Sequence, residues 1–183
     1  MHRAIPLGLR TIQFLTAVTI LGLAAAMIRA QVFGSAPVTV RYSTFTGGFG
    51  ILVCLVGVAS LFASFIPDLV PLVLDGLAGV LFLAGGIAWA VGLRGVQNCK
   101  DPDGMLRNSL LNWGTVGSGD NIGYGVRGPD DDAPTVYNRL RGNCQRAQAD
   151  EVLQFISVAF ALGLIGLGYL QLRRGRGLGG YVA

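Results

Sequence analysis

Residues 69–93 read LVPLVLDGLAGVLFLAGGIAWAVGL, and across these twenty-five positions Asp75 is the only charge. A bilayer core about 30 Å thick takes roughly 20 mostly apolar residues as a helix, so this stretch is long enough to cross one. Three more windows share its character: 11–28, 42–67 and 152–172 hold no charged residue at all. The four windows make up about half of a chain that is 52% hydrophobic and only 13% charged, whereas soluble domains run near a quarter charged. A soluble globule of 183 residues has no core large enough for four such helices. The expected fold is all-α: an integral membrane four-helix transmembrane bundle.

The spans are placed at about 11–28, 42–66, 72–93 and 152–172, within one transmembrane domain over 1–172. His2, Arg3 and Arg10 followed by an apolar run also suit a secretory signal peptide. The length of the run, with Thr16 and Thr19 inside it, favours a retained first span. Pro67-Asp68-Leu69-Val70-Pro71 reads as a tight reversal, because proline disfavours helix in the residue before it.

Residues 94–151 form a long polar loop between helices 3 and 4, with nine glycines and the acidic run Asp130-Asp131-Asp132. Within it, Asp101-Pro102 predicts a helix start, a cap followed by proline at the first helical position. Met105, Leu106, Leu110, Leu111 and Trp113 follow, suited either to the bilayer surface, with Trp113 at headgroup depth, or to folding over the mouth of the bundle. Gln145–Glu151 favours helix and runs into the fourth span. The tail, 173–183, is short, basic and glycine-rich.

Composition weakens several functional classes. The sole histidine is His2, so no Ser-His-Asp or Cys-His device is available within the membrane. No metal-site spacing or phosphate-cradling glycine loop occurs, and no cofactor is expected. A net charge of +4 does not point to nucleic acid, since most arginines sit beside the apolar windows, where anchoring to headgroups accounts for them. An enzyme is not expected.

Helices in lipid gain little by hiding apolar side chains, and instead associate through small residues and polar contacts. Gly22 and Ala26, Gly86 and Ala90, and Gly163 and Gly166 are the helix-packing candidates, with span four the candidate for lateral homo-oligomer contact. Asp75 is the intramembrane polar residue: a hydrogen-bonded structural group, or the coupling group of a small transporter or transport accessory subunit. Cys54 is central in its span and reads as a buried free thiol. Cys99 and Cys144 both lie in the long loop, each beside the membrane end of a span. In an oxidising compartment their disulfide would close a ring worth about 4 kcal/mol by loop entropy.

Charge leaves the orientation open. The side with both termini carries five basic residues and the other side nine, which alone would put the termini outside. Several of the nine lie far from any span, where the positive-inside rule weakens.

Dispersed strings resemble one family. Arg41-Tyr42-Ser43-Thr44-Phe45 with Phe49-Gly50, Pro71-Leu72-Val73-Leu74 with Asp75, Ala90-Val91-Gly92-Leu93-Arg94 with Cys99, and Cys144-Gln145-Arg146-Ala147-Gln148-Ala149 are similar to the MARVEL-domain tetraspan proteins. The likeness is strongest to their fungal non-classical export and eisosome-associated branch. The resemblance implies a plasma-membrane protein with cytosolic termini and the 94–151 loop outside. It would act in membrane microdomain assembly, lipid-responsive signalling or unconventional export. Its partners would be anionic inner-leaflet lipid, touched by Arg173, Arg174 and Arg176, sphingolipid-rich domains, and other membrane or cortical proteins. The long acidic loop and the short tail depart from that pattern.

Overall fold

The computed structural model describes residues 4–62, 67, 69–96, 98–117 and 122–178, and gives no side-chain placement for 171, 172 and 174–178. The expected end of span two at residue 66, the Arg174 and Arg176 side chains, and the tail from 179 lie outside the described residues. Among the described residues, five helices and one small hairpin follow in order: α1 (Ala4–Ala30), α2 (Val38–Phe62), α3 (Leu69–Gly92), α4 (Pro102–Arg107), β1 (Thr115–Val116), β2 (Gly123–Tyr124) and α5 (Ala133–Leu178). Four of them, α1, α2, α3 and α5 through Leu170, are long and apolar enough to cross a membrane. The all-α transmembrane bundle expected from composition is the observed architecture.

The helix limits differ from those expected, each for a local reason. α1 begins well before Thr11 because Arg10 lies inside the bundle, where its charge is matched by a carboxylate. α2 starts at Val38, directly after Pro37, whose carbonyl accepts the Arg41 N–H at 3.1 Å. α3 carries Pro71 in its first turn, where a backbone N–H would have had no partner. It stops just before Gly95, whose φ of +88° ends the helix in a conformation that suits glycine.

The largest correction concerns 94–151. The helix expected from Gln145 onward begins at Ala133, so 133–144 too are helix continuous with the fourth span. Asp132 opens this helix, its side chain accepting the Thr135 N–H at 3.2 Å, with Pro134 in the first turn. At 1.5 Å per residue α5 is about 69 Å long, more than twice a bilayer core. α4 starts as expected, Asp101 accepting the Asp103 N–H at 3.1 Å.

α1 packs chiefly on α2, and α3 on α5, while α1–α5 and α2–α3 contacts close the ring. The buried face of α1 comprises Pro6, Arg10, Gln13, Ala17, Ile20, Ala24 and Met27, alternating steps of three and four as in a coiled-coil seam. α2 meets it with Gly47 and Gly50. A Cβ on Gly47 would come 2.8 Å from the backbone nitrogen of Leu21, so any side chain there would force the helices apart. Ile20, Val53, Ala78 and Phe82 form the mid-bundle apolar core.

The small-residue pairs expected to pack are only partly inward. Gly86 is buried under the Phe155 ring, 2.9 Å from where a Cβ would sit. Gly22, Ala90, Gly163 and Gly166 face outward, and at the three glycines a Cβ would meet open space. Ala26 is half-buried, and Ala24, two positions away, supplies the contact instead. Four-residue spacing alone does not fix the phase of a helix whose apolar residues surround it.

Candidate functional site

Among the described residues, two polar clusters lie inside the bundle, and a disulfide-tied cap closes its loop-side end. The first cluster is near the chain's N-terminal side. Arg10 of α1 reaches Asp75 of α3 with both guanidinium nitrogens, Nη1 to Oδ1 at 2.5 Å and Nη2 to Oδ2 at 2.6 Å. Arg10 also donates to the Gln13 Oε1 at 3.4 Å. Both partners are nearly inaccessible, at 5% and 2%. Gly57 of α2 makes the room: a Cβ there would collide with the Arg10 guanidinium. A cavity of about 80 Å³ adjoins the pair, bounded by Pro6, Ser60, Pro71, Leu164 and Gly168.

By sequence Asp75 is the only ionisable group inside a span; the structure adds Arg10 as its partner and Asp150 as a second buried carboxyl. The bidentate pairing satisfies the Asp75 charge within the protein. That geometry suits a clamp between α1 and α3 better than a group that picks up and releases a ligand.

The second cluster joins α5 to α2 and α1. Asp150 Oδ1 accepts from Ser43 Oγ at 2.6 Å. The Gln154 amide nitrogen lies 3.0 Å from Ser43 Oγ, 3.0 Å from Thr46 Oγ1 and 3.3 Å from Asp150 Oδ1. One turn further on, Ser157 Oγ lies 3.3 Å from Thr16 Oγ1. Gly85 admits the cluster to α3, since a Cβ would come 2.7 Å from Gln154 Oε1. Among the described residues, the Gln13 amide nitrogen and the Trp113 indole nitrogen are buried without a hydrogen-bond partner, while the Trp89 indole N–H is directed at the Asp150 carboxyl. Among the same residues, no group of three or more His, Cys, Asp or Glu lies together in a way that would hold a metal.

The cap rests on the loop-side mouth. Met105, Leu110, Leu111 and Val126 pack with Trp89 and Leu93 of the α3 end, and with Leu140, Cys144 and Ala147 of α5, in one apolar cluster. Of the two readings of the Met105–Trp113 patch, the structure has the one that folds over the mouth. Cys99 and Cys144 are bonded, with Cα atoms 5.6 Å apart across 45 residues of sequence. Asn143 donates to the Leu111 carbonyl at 3.0 Å and Asn108 to that of Gly92 at 2.8 Å. Arg139 pairs with Asp131, donates to the Val126 carbonyl and lies 5.9 Å from the centre of the Trp113 ring. The Arg139 hydrogen bond, followed by the Gly128 N–H, holds the Asp131 carboxyl below its usual range. Cys54 is a buried free thiol. Arg173 is exposed.

Sequence reading missed Arg10, Gln13, Ser43, Thr46, Asp150, Gln154 and Ser157 as a set. The signal was present as polar residues recurring at three- and four-residue steps, Arg10-Gln13, Ser43-Thr46 and Asp150-Gln154-Ser157, which places each group on one helix face.

Polar side chains meet one another inward, and large apolar ones such as Leu52, Leu55, Val73, Val80 and Leu162 face outward, an arrangement suited to lipid surroundings. No curated protein and no solved structure matches the chain significantly. The family model described as MARVEL, membrane-associating domain, matches residues 3–167. That match covers the first three spanning helices, the cap and the fourth spanning helix as far as residue 167, and the chain belongs to the MARVEL membrane-associating domain family.

Proposed function

We propose that the protein is a non-enzymatic organiser of plasma-membrane microdomains, of the fungal non-classical export and eisosome-associated kind. It gathers lipid and partner proteins laterally and responds to sphingolipid. The observation that carries this reading is the division of surfaces: polar groups are spent on holding helices together, and the apolar outer faces are left to lipid and to neighbouring proteins. Gly163 and Gly166, facing outward on α5, supply a smooth strip for contact with a second copy or another membrane protein.

The Cys99–Cys144 bridge supports placing the cap outside the cell and the termini in the cytosol, because thiols in the cytosol are kept reduced. In that orientation Arg173, Arg174 and Arg176 meet the anionic inner leaflet, each adding about 1 kcal/mol of attraction. The alternative, a transporter or transport accessory subunit using Asp75, loses its main support because Asp75 is occupied by Arg10.

Imaging of a tagged chain tests the proposal. Punctate plasma-membrane clusters that disperse on sphingolipid depletion are expected. A uniform distribution, indifferent to sphingolipid, overturns it. Proton or solute flux lost on Asp75→Asn, with normal localisation, would establish the transport reading instead.

A further inference from the structure

Arg10 borders two spaces. One is the cavity beside Asp75, lined by all four spanning helices. The other is an open groove of about 390 Å³ along the α1–α2 seam, which Arg10 lines with Thr11 and Phe14 of α1 and Cys54, Leu55 and Ala59 of α2. Thr11, Leu55 and Ala59 are exposed, so the groove faces outward. Its walls are apolar apart from Arg10 and Thr11, and Thr11 spends its hydroxyl proton on the Leu7 carbonyl at 3.0 Å.

A guanidinium carries five N–H donors. Two of those on Arg10 go to Asp75 and one to Gln13; the other two meet no acceptor among the described residues. A buried donor without an acceptor is costly, so a guanidinium only 5% exposed calls for a partner from outside the chain.

Depth decides what that partner is. Arg10 precedes Arg29 by 19 positions, and Asp75 precedes Arg94 by the same 19, about 28 Å along each helix. Arg29 and Arg94 are exposed and follow the apolar runs of α1 and α3. One hydrocarbon thickness, about 30 Å, therefore separates them from the Arg10–Asp75 pair, which lies where acyl chains give way to headgroups on the termini side. α2 runs antiparallel to α1, with Gly57 against the Arg10 guanidinium, so Phe14 and Cys54 both lie about one turn deeper. The groove starts at the boundary and runs into the acyl region of one leaflet. Glycerophospholipids carry their ester carbonyls at that boundary, directly above their chains. An uncharged acceptor is the one that fits, because Asp75 already matches the Arg10 charge and an added anion would be left unmatched.

We propose that this groove binds an acyl chain of a glycerophospholipid in the termini-side leaflet, with an ester carbonyl of that lipid accepting from Arg10. The inference rests on the four membrane-spanning helices and not on the microdomain reading, so either can fail while the other stands.

The test uses the purified full chain in detergent, stripped of lipid. It is then offered dioleoylphosphatidylcholine, the diether analogue of that lipid, a sphingomyelin or a sterol, and bound lipid is read by native mass spectrometry. One phosphatidylcholine per chain is expected. The diether should be retained about tenfold less, the size of one hydrogen bond to a charged donor. Ala59→Phe, which fills the groove, should cut retention of the diester several-fold, whereas Leu162→Phe, exposed on α5, should not. Circular dichroism reports folding, and the comparison of diester with diether on the parent chain needs no variant. Diester and diether retained alike, a sterol or sphingomyelin retained in preference, or retention unchanged in folded Ala59→Phe overturns the proposal.

Discussion

Arg10 and Asp75, 65 positions apart in sequence, bind each other through two parallel contacts of 2.5 and 2.6 Å inside the bundle. This pairing links the first and third spans, which sit diagonally across the ring and share few backbone contacts. Removing one partner leaves the other charge buried alone, a cost of about 3–5 kcal/mol. Asp75→Asn should therefore lower stability by that order in detergent unfolding followed by circular dichroism. The double variant Arg10→Met/Asp75→Leu should recover most of the loss, since apolar replacements of buried pairs are often neutral. An Asp75→Asn protein as stable as the parent would show that the pair does not clamp the helices.

Glycines that touch and glycines that do not make a matched pair of tests. Gly47→Ala drives a Cβ to 2.8 Å from the Leu21 backbone nitrogen, where nothing flexible can yield, and should cost about 1–3 kcal/mol. Gly163→Ala, with open space around it, should be neutral or stabilising by up to about 1 kcal/mol through helix propensity. Equal melting temperatures for the two variants would contradict the packing.

Reduction should loosen the cap before it loosens the bundle. The bridge spans 45 residues, a closure of about 4 kcal/mol at most by chain entropy. Cys99→Ser and reductant should both make the 94–132 region sensitive to protease while the four apolar helices stay protected. In intact cells, an impermeant maleimide should modify Cys99 and Cys144 only after reduction. Labelling without reductant would mean that the thiols are free.

The acidic turn before α5 should weaken in acid. Asp131 is held below the ordinary 3.8 by Arg139 and the Gly128 N–H, and Asp132 by its bonds to Thr135. Groups with depressed folded values contribute fully above their unfolded value and lose that contribution as pH falls through the folded one. The cap contacts of Asp131 should thus hold at about pH 5 and above, and fade below about pH 4. Trp113, beside Arg139, reports this as the difference in emission between the parent and Trp113→Phe. In Asp131→Asn that acid-dependent change should vanish; its persistence would place the titration elsewhere.

The number and location of the spans were legible because a charge-free run of about 20 residues has the length and chemistry that a bilayer core demands. Helix ends were less so. Arg10 reads as the close of a polar flank until Asp75 is found opposite it, and 133–144 reads as loop because its polar residues serve a helix that has left the membrane. The inward faces were hardest. In water an apolar stripe marks the core, but in lipid large apolar residues face out and the core side holds Gln13, Ser43, Gly47, Gly50 and Gln154. Hydrophobic periodicity consequently pointed nowhere, and the pairing of Gly22 with Ala26 took the wrong phase. Cys99 and Cys144 were the exception, since the one other cysteine, Cys54, lies within a span and both lay near the loop's ends.

The unbroken run of α5 from Ala133 to Leu178 makes one rigid lever that reaches from the cap into the bilayer interior. Its cap-side arm is strapped to the α3 end at Cys144, while its membrane arm lies against α1 and α3. A push on the cap therefore cannot be absorbed at a joint between the two arms. It becomes torque on the whole bundle, delivered at Asp150, Gln154 and Ser157, where the lever is bolted to its neighbours.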